Sequence, residues 1–242
     1  MNKIEDAKAA LGFLTTIPVR TKADWDDRGK LKFFPLAGLC IGLGLWAVDG
    51  LAGQFFNAAG RGLIDIAFLM LITGGLHLDG LADSADGLFS HRKRGDILTI
   101  MKDSRTGVFG VLALIMVIAA KWVGLTSLAG DRSVYLIFAP VFARTAMLIA
   151  MGQPYARAEG GIASGMFERK RSPGELGPVL IPVAGVFIFS WRAGIVMNII
   201  FAVVLVFWLR VCRRRIGGVT GDTLGALCEL TEASLLFAGC FL

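Results

Sequence analysis

Seven apolar segments run along this chain, and the Lys and Arg content of the stretches around them alternates. The segments cover residues 33–56, 63–78, 107–129, 133–152, 176–191, 193–209 and 223–242. From the N-terminus onward, the stretches outside these segments carry 7, 1, 5, 1, 4, 1, 4 and 0 basic residues. Membrane proteins concentrate Lys and Arg in their cytoplasmic loops, so this alternation predicts about seven transmembrane helices, within a range of six to eight, and a cytoplasmic N-terminus.

The composition agrees with a membrane protein. The residues are 55% hydrophobic and 18% charged, and the mean hydropathy is +0.66, whereas an ordinary soluble domain is about 25% charged. Most segments approach the roughly 20 residues that a helix needs to cross a bilayer, and they lack the alternation of barrel strands. We therefore predict an all-α fold, a polytopic integral membrane helical bundle. Residues 1–242 would form a single membrane domain that begins with a cytoplasmic segment, residues 1–32.

Some apolar segments depart from a plain spanning helix. The segment 176–191 is short and contains two prolines, which predicts a kink or a re-entrant hairpin with the segment after it. The segment 63–78 is also short, and we expect its helix to continue into the acidic stretch that follows. Two basic residues lie inside apolar segments: Arg144 is expected to pair with an acid, whereas snorkelling to the membrane surface accounts for Lys121.

Residues 77–87, with the sequence HLDGLADSADG, place three carboxylates directly after an apolar run. A helix turns by about 100° per residue, so Asp79, Asp83 and Asp86 fall within about 60° of one another on one face. Like charges at this spacing repel, and a cation between them relieves the repulsion. Mg²⁺, a hard divalent cation, prefers such oxygen ligands. The alternative interpretation is a solvated helix end without a ligand.

Two further polar blocks lie on the same predicted side of the membrane. One contains Lys102, Asp103 and Arg105, and the other joins three arginines, 213–215, to a glycine-rich turn, 217–221. Arg and Lys side chains bind phosphate oxygens, and a glycine-rich turn at a helix start presents backbone N–H groups to an anion. Both blocks therefore predict contacts with an anionic substrate.

Together, the three blocks are suited to the transfer of a phosphate-bearing group. A diphosphate needs a metal such as Mg²⁺ to neutralise the charge that develops on the leaving group, and carboxylates hold that metal. We predict one site between the helices, formed by the cytoplasmic stretches. These stretches are 79–106, 153–175 and 210–222.

The last apolar segment carries two glutamates, Glu229 and Glu232, which a lipid-facing helix would avoid. Glu229 lies seven residues after Asp222, on the same helix face, so it could join the site. Alternatively, both glutamates could form a buried hydrogen-bond network between helices. Thr220 or Asp222 could cap the start of this helix. His77 lies on the far side of its own helix from the acids, which favours a packing role.

In these motifs the chain resembles the cobalamin synthase family, the adenosylcobinamide-GDP ribazoletransferases. The similarity runs over most of the length. The matching motifs are FLTTIPV at 13–19, FPLAG at 34–38, HLDGLADSADG at 77–87, IMKDSRTGVFG at 100–110 and GGVTGDTLGA at 217–226, with Glu229 and Glu232. The chain departs from the family's pattern at Thr16 and at residues 106–108, where Ile-Gly-Thr is common, and neither departure falls on an expected ligand.

The resemblance implies the last assembly step of the adenosylcobalamin nucleotide loop. Adenosylcobinamide-GDP and α-ribazole, or its 5′-phosphate, would give adenosylcobalamin, or its 5′-phosphate, and GMP. It also implies Mg²⁺ as cofactor and a multi-pass location in the bacterial inner membrane, among membrane lipid, with the active site facing the cytoplasm. A homo-oligomer and contact with other corrinoid-pathway enzymes stay open, and no nucleic-acid partner is expected.

The residues and the resemblance together give a hypothesis for the site. The metal ligands would be Asp79, Asp83, Asp86 and Asp103. The catalytic residues would be Asp83, Asp86, Asp103 and Asp222, with the base left open among the last three. The substrate-binding residues would be Lys102, Arg105, Arg213, Arg214, Arg215, Gly217, Gly218, Thr220, Gly221, Glu229 and Glu232.

Other functions fit the sequence less well. A CDP-alcohol phosphotransferase would show Asp-Gly-x-x-Ala-Arg followed by a second pair of acids, but Ser84 and His91 stand in this region and the second pair is missing. An intramembrane prenyltransferase would carry two matched Asp-rich motifs. From a different class, a cation transporter could use intramembrane acids, but the acids here cluster beside arginines that would repel a cation.

Overall fold

Ten α-helices make up most of the chain in the computed structural model, which describes residues 3–22, 28–157, 167 and 173–241. The described part contains no named β-strand, so the predicted all-α fold is confirmed. The helices are α1 (Lys3–Leu14), α2 (Phe34–Ala52), α3 (Ala58–Thr73), α4 (Leu76–Leu88), α5 (Arg94–Ile100), α6 (Val108–Ser127), α7 (Arg132–Ala150), α8 (Leu180–Phe189), α9 (Trp191–Ile216) and α10 (Gly221–Ala238). Short 3₁₀ helices cover Arg28–Phe33, Pro173–Val179 and Gly239–Phe241.

Five of the described helices are long and apolar enough to cross a membrane: α2, α6, α7, α9 and α10. The pair α3 and α4 would supply a sixth if it counts as one broken span. The predicted segment 176–191 contains the end of the 3₁₀ helix Pro173–Val179 and α8, which together form a shorter apolar helix, Gly174–Phe189, that is not among the candidate spans. The described chain is therefore a polytopic helical membrane protein with five or six candidate spans, at or below the lower end of the predicted range.

The prediction that the helix of segment 63–78 continues into the acidic stretch is wrong. The chain bends by 91° between α3 and α4. Gly74 and Gly75 form the break, with φ angles of 60° and 72°, a left-handed conformation that glycine adopts without strain. Thr16 provides hydrogen bonds to carbonyl groups at the end of α3. Its N–H donates to the Ile72 carbonyl at 2.8 Å, and its hydroxyl donates to the Leu71 carbonyl at 3.0 Å.

The core is centred on α7, where nearly every residue is buried, and on α10, which packs against α4, α6 and α7. The outer faces of α6, α8 and α9 are apolar and exposed, for example at Met116, Ile188 and Phe207. A helix that buries polar groups inside and exposes apolar side chains outside is typical of a protein surrounded by lipid. The helix α8 also turns back onto α9, where the Asn198 side-chain amide donates to the Val183 carbonyl at 3.1 Å.

Candidate functional site

The acidic stretch forms the helix α4, as the sequence predicts, so its three aspartates share one helix face. Asp79 is exposed, and Asp83 and Asp86 are half-buried. The opposite face of α4 carries the buried residue His77, whose Nδ1 lies 3.7 Å from the Cys228 sulfur. This contact with α10 agrees with the packing role expected for His77.

Close packing of α4 against α10 brings a fourth carboxylate to this face. A Cβ atom at Gly80 would lie 2.7 Å from the carbonyl oxygen of Asp222, so a larger residue at this position would force the helices apart. The charge of Asp83 is repelled by those of Asp79, Asp222 and Asp86 and attracted by that of Arg157. The four aspartates therefore form one acidic cluster, which we call the acidic site.

Asp86 has a defined structural role within the acidic site. Its two carboxylate oxygens accept hydrogen bonds from the backbone N–H groups of Gly107, at 2.7 Å, and Gly110, at 2.9 Å. These amides belong to the N-terminus of α6, where N–H groups lack partners within the helix and the helix dipole favours a negative charge. Asp86 thus fixes α4 to the start of α6.

Asp103 lies in the loop before α6, where its partner among the described residues is Arg105. The Arg105 guanidinium donates to both carboxylate oxygens, at 3.1 and 2.7 Å, and the Arg105 backbone N–H donates at 3.1 Å. These contacts lower the pKa of Asp103 to about 2. Lys102 and Arg105 are exposed to solvent beside it. The contacts with Arg105 therefore favour the ionised form of Asp103 and make it a weak proton acceptor.

The glycine-rich turn is largely closed on itself and on a neighbouring segment. The Gly217 N–H donates to the carbonyls of Cys212 and Arg213, both at 3.1 Å, and the Val219 N–H donates to the Pro154 carbonyl at 2.9 Å. The Thr220 N–H donates to the Thr223 hydroxyl at 2.7 Å. These three amides are thus engaged within the protein, and the expected open row of N–H donors does not exist at them.

Of the two residues expected as possible caps of the last helix, Thr220 is the cap and Asp222 is not. Its side chain accepts a hydrogen bond from the Thr223 N–H at 3.2 Å, and the reverse bond completes a capping box. Asp222 follows the cap by two residues and lies in the first turn of α10. A negative charge in this turn is favoured by the helix dipole.

Arg157 is a site residue that the sequence reasoning missed. The turn described above pairs with residues 154–156, and this pairing delivers Arg157 to Asp222, with a distance of 2.6 Å from Nη2 to the carboxylate. Both side chains are mostly buried. Its only sequence signal was its place in the predicted basic stretch 153–175, of which residues 158–166 and 168–172 lie outside the described residues.

The three arginines at the end of α9 behave differently from one another. Arg213 and Arg214 are exposed. Arg215 donates to the Leu88 carbonyl at 2.8 Å, which places a positive charge at the C-terminus of α4, where the helix dipole favours it. Arg215 therefore fixes the far end of the acidic helix, while Arg213 and Arg214 remain accessible to an anion.

The two C-terminal glutamates lie away from the acidic site in a buried cluster, which we call the membrane cluster. The Lys121 ammonium contacts Glu229 and Glu232, each at 2.7 Å, and Arg144 pairs with Glu232. All four side chains are at most 5% exposed. The expected pairing of Arg144 with an acid is confirmed. The expectation that Lys121 snorkels to the membrane surface is wrong, because Lys121 is buried in this cluster. The two glutamates form the buried network between helices that was one of the two alternatives for them.

A cavity of about 450 Å³ opens beside the acidic site, between α1, α2, α4, α7 and α10. Asp79, Arg157 and Asp222 line its polar end, and most of the remaining wall is apolar. The cavity therefore joins charged groups suited to a phosphate or a metal with a surface suited to an apolar ring.

The acidic site fits a metal ion in the chemistry of its donors. Among the described residues, no three Asp, Glu, His or Cys side chains lie close enough together to hold a metal ion directly. Mg²⁺ keeps several of its waters and is usually bound through one or two carboxylates together with substrate phosphates. Asp79 and Asp83 can supply such carboxylates, since Asp86 is engaged by α6 and Asp222 by Arg157.

Comparison with known proteins relates this chain to one family. The family model described as cobalamin-5-phosphate synthase matches residues 6–240. The chain is 35% identical over 235 residues to the adenosylcobinamide-GDP ribazoletransferase of Brevibacillus brevis, covering 94% of each chain. It is 37% identical to that of Pseudomonas fluorescens (94% and 95% covered) and 38% identical to that of Chlorobaculum tepidum (93% and 91% covered). No solved structure matches the chain.

Proposed function

Because this chain belongs to the cobalamin-5-phosphate synthase family, we propose that it transfers the phosphocobinamide group of adenosylcobinamide-GDP to α-ribazole or α-ribazole 5′-phosphate, releasing GMP. This is the last assembly step of the nucleotide loop in cobalamin biosynthesis. The observation that carries the proposal is the family match over residues 6–240. The acidic site supports it, because four carboxylates beside one guanidinium suit a metal-assisted reaction of a diphosphate.

In the proposed reaction, a ribose hydroxyl of α-ribazole attacks the corrinoid-side phosphorus. The new P–O bond forms as the bond to GMP breaks, the electron pair leaves with the GMP phosphate, and the hydroxyl proton passes to a carboxylate. Asp222 lines the cavity and is the candidate for this base. Asp86, bound by two amides, and Asp103, with a pKa of about 2, are poorer acceptors.

We propose Mg²⁺ as the cofactor, held by Asp79 and Asp83. When bound, it supplies positive charge against the diphosphate and the departing GMP. Arg157 holds Asp222 in place, and the exposed Lys102, Arg213 and Arg214 can contact outer phosphate oxygens. The exposed guanidinium of Arg105 already binds Asp103, so Arg105 is less available for phosphate contact than these three residues.

We further propose that the protein lies in the bacterial inner membrane with the acidic site facing the cytoplasm. The alternation of basic residues supports this orientation, because the acidic site shares its side with the Lys- and Arg-rich stretches. The exposed apolar faces of α6, α8 and α9 would contact membrane lipid.

The test is a reconstitution with purified protein in nanodiscs. Adenosylcobinamide-GDP and α-ribazole are supplied with and without Mg²⁺, and GMP and the corrinoid product are measured together. We expect GMP and the corrinoid product to form in equal amounts, and to form only when Mg²⁺ is present. GMP release without α-ribazole would indicate a hydrolase, and product formation after complete chelation of divalent cations would contradict the metal proposal.

A cation transporter is disfavoured by the membrane cluster. Its two intramembrane acids are already neutralised by Lys121 and Arg144. Transport acids face a water-filled path and exchange their partners, whereas these are buried between α6, α7 and α10. Glu229 and Glu232 therefore serve packing rather than ion passage.

A further inference from the structure

The cavity beside the acidic site has two chemically distinct parts. Its polar end carries Asp79, Arg157 and Asp222. The rest of its wall is mostly apolar, formed by Phe13, Phe34, Leu76, Met147, Met151 and Leu224, and it also includes His77 and Tyr155. A molecule that fills this cavity must therefore be apolar at one end and must present a polar group at the other.

The size of the cavity limits which parts of the two proposed substrates can fit inside it. Its volume of about 450 Å³ lies in the lower part of the range of roughly 300–1,000 Å³ that is usual for small-molecule sites. A nucleoside fits such a volume. A corrinoid macrocycle with its amide side chains is several times larger than a nucleoside, so the corrinoid must remain outside.

The polarity of the cavity wall distinguishes between the two nucleosides of the reaction, the guanosine of the donor and α-ribazole. Guanine carries several hydrogen-bond donors and acceptors. Most of them would lose their water against a wall that is largely apolar, in which His77 and Tyr155 are the polar side chains apart from those of the polar end, and this loss costs free energy. The dimethylbenzimidazole ring of α-ribazole carries two methyl groups and a single free ring nitrogen. An apolar, sulfur- and aromatic-lined wall stabilises such a ring through burial and contact with its faces.

Resting on the proposed function, we propose that this cavity is the acceptor site, with the dimethylbenzimidazole ring of α-ribazole in its apolar part. The ribose then lies at the polar end, beside Asp79 and Asp222, where a hydroxyl must lose its proton. The donor diphosphate approaches from the exposed side of α4, near Asp83, and the corrinoid stays at the mouth of the cavity.

The first test narrows the apolar part of the cavity. Met147 lines it and is almost fully buried, so M147W fills the space that the ring would occupy, whereas M147L conserves the volume and serves as the control. We expect M147W to raise the KM for α-ribazole at least tenfold and to leave the KM for adenosylcobinamide-GDP within twofold, with M147L close to wild type. A rise in the KM for the donor alone would overturn the proposal.

The second test uses the wild-type protein and does not depend on the folding of a variant. Calorimetry in nanodiscs compares α-ribazole with benzimidazole ribosides that lack one or both methyl groups. Burial of each methyl group in the cavity predicts that affinity falls about fourfold per methyl removed. Equal affinities, or tight binding of guanosine that competes with α-ribazole, would show that the cavity is not the acceptor site.

These outcomes are distinct from failure of the proposed function. If the wild-type protein binds α-ribazole with the methyl dependence above but releases no GMP in the reconstitution, the proposed function fails and the acceptor site stands. If GMP is released and the methyl groups have no effect on binding, the function stands and the acceptor site is overturned.

Discussion

One helix, α10, contributes acids to two regions that treat charge in opposite ways. In the membrane cluster, Glu229 and Glu232 face Lys121 and Arg144, so two negative charges meet two positive charges. In the acidic site, Asp222 joins three aspartates of α4 and faces a single described cation, Arg157. The membrane cluster is neutral and closed, whereas the acidic site is strongly negative and open to a cavity.

This difference indicates what each region is for. A buried ion pair balances its desolvation cost through close partners, and it fixes how helices are placed against one another. A site that keeps several carboxylates together without balancing cations leaves a charge that a ligand must neutralise. The comparison therefore assigns packing to the membrane cluster and metal and phosphate chemistry to the acidic site, although both lie on the same helix.

The largest expected effect comes from the acidic site. D83N removes a charge at the centre of the carboxylates while keeping shape, and we expect GMP release to fall by about 10³-fold because charge stabilisation dominates phosphoryl transfer. The thermal unfolding temperature in detergent should stay unchanged. The matched control is D96N, an exposed aspartate of α5, which should keep full activity. Near-full activity of D83N at saturating Mg²⁺ would remove Asp83 from the metal site.

The membrane cluster should show the reverse pattern, a loss of stability. E232Q leaves Arg144 and Lys121 buried without their shared partner, and breaking such a pair costs about 3–5 kcal/mol. E229Q should cost less, because Glu229 contacts Lys121 and not Arg144. Thermal unfolding of both variants in detergent gives the comparison. Unchanged stability of E232Q together with lost GMP release would place Glu232 in the chemistry instead.

The sequence predicted these two regions unequally. The acidic face of α4 follows from helix periodicity, and the partner of Arg144 follows from the cost of a bare charge in a membrane. The break at Gly74 was missed although two adjacent glycines favour a turn. The pairing of Lys121 with Glu229 joins residues 108 positions apart, and no local pattern specifies such a contact.

The same limit explains the missed arginine of the acidic site. Arg157 reaches Asp222 because residues 154–156 pair with the glycine-rich turn, a contact between distant parts of the chain. The sequence indicated that both stretches lie on one side of the membrane but not that they touch. The glycines there were interpreted as anion binders, while the hydrogen bonds of Gly217 and Val219 show that the turn also serves packing.

A smaller loss of activity is expected from the one described cation of the acidic site. R157Q removes the partner of Asp222 and frees this carboxylate beside the proposed metal ligands Asp79 and Asp83, and loss of a residue that orders the surroundings of a metal's ligands costs roughly 10- to 100-fold in activity or metal affinity. The apparent Mg²⁺ affinity should change together with the rate. R192Q, at the exposed start of α9, is the matched control. An unaltered metal dependence of R157Q would separate Arg157 from the metal site.

The smallest expected effect lies where α10 begins, between the two regions. T220A removes the side chain that accepts the Thr223 N–H, and loss of such a cap costs about 1 kcal/mol. T220S keeps the hydroxyl and should stay close to wild type in thermal unfolding. Because the cap fixes the first turn and not the middle of α10, T220A should alter GMP release, through Asp222, more than it disturbs the membrane cluster. Amide hydrogen exchange along α10 checks this prediction. We expect faster exchange in the first turn and unchanged protection around Glu229. Loss of protection along the whole helix would show that the two regions form one cooperative unit.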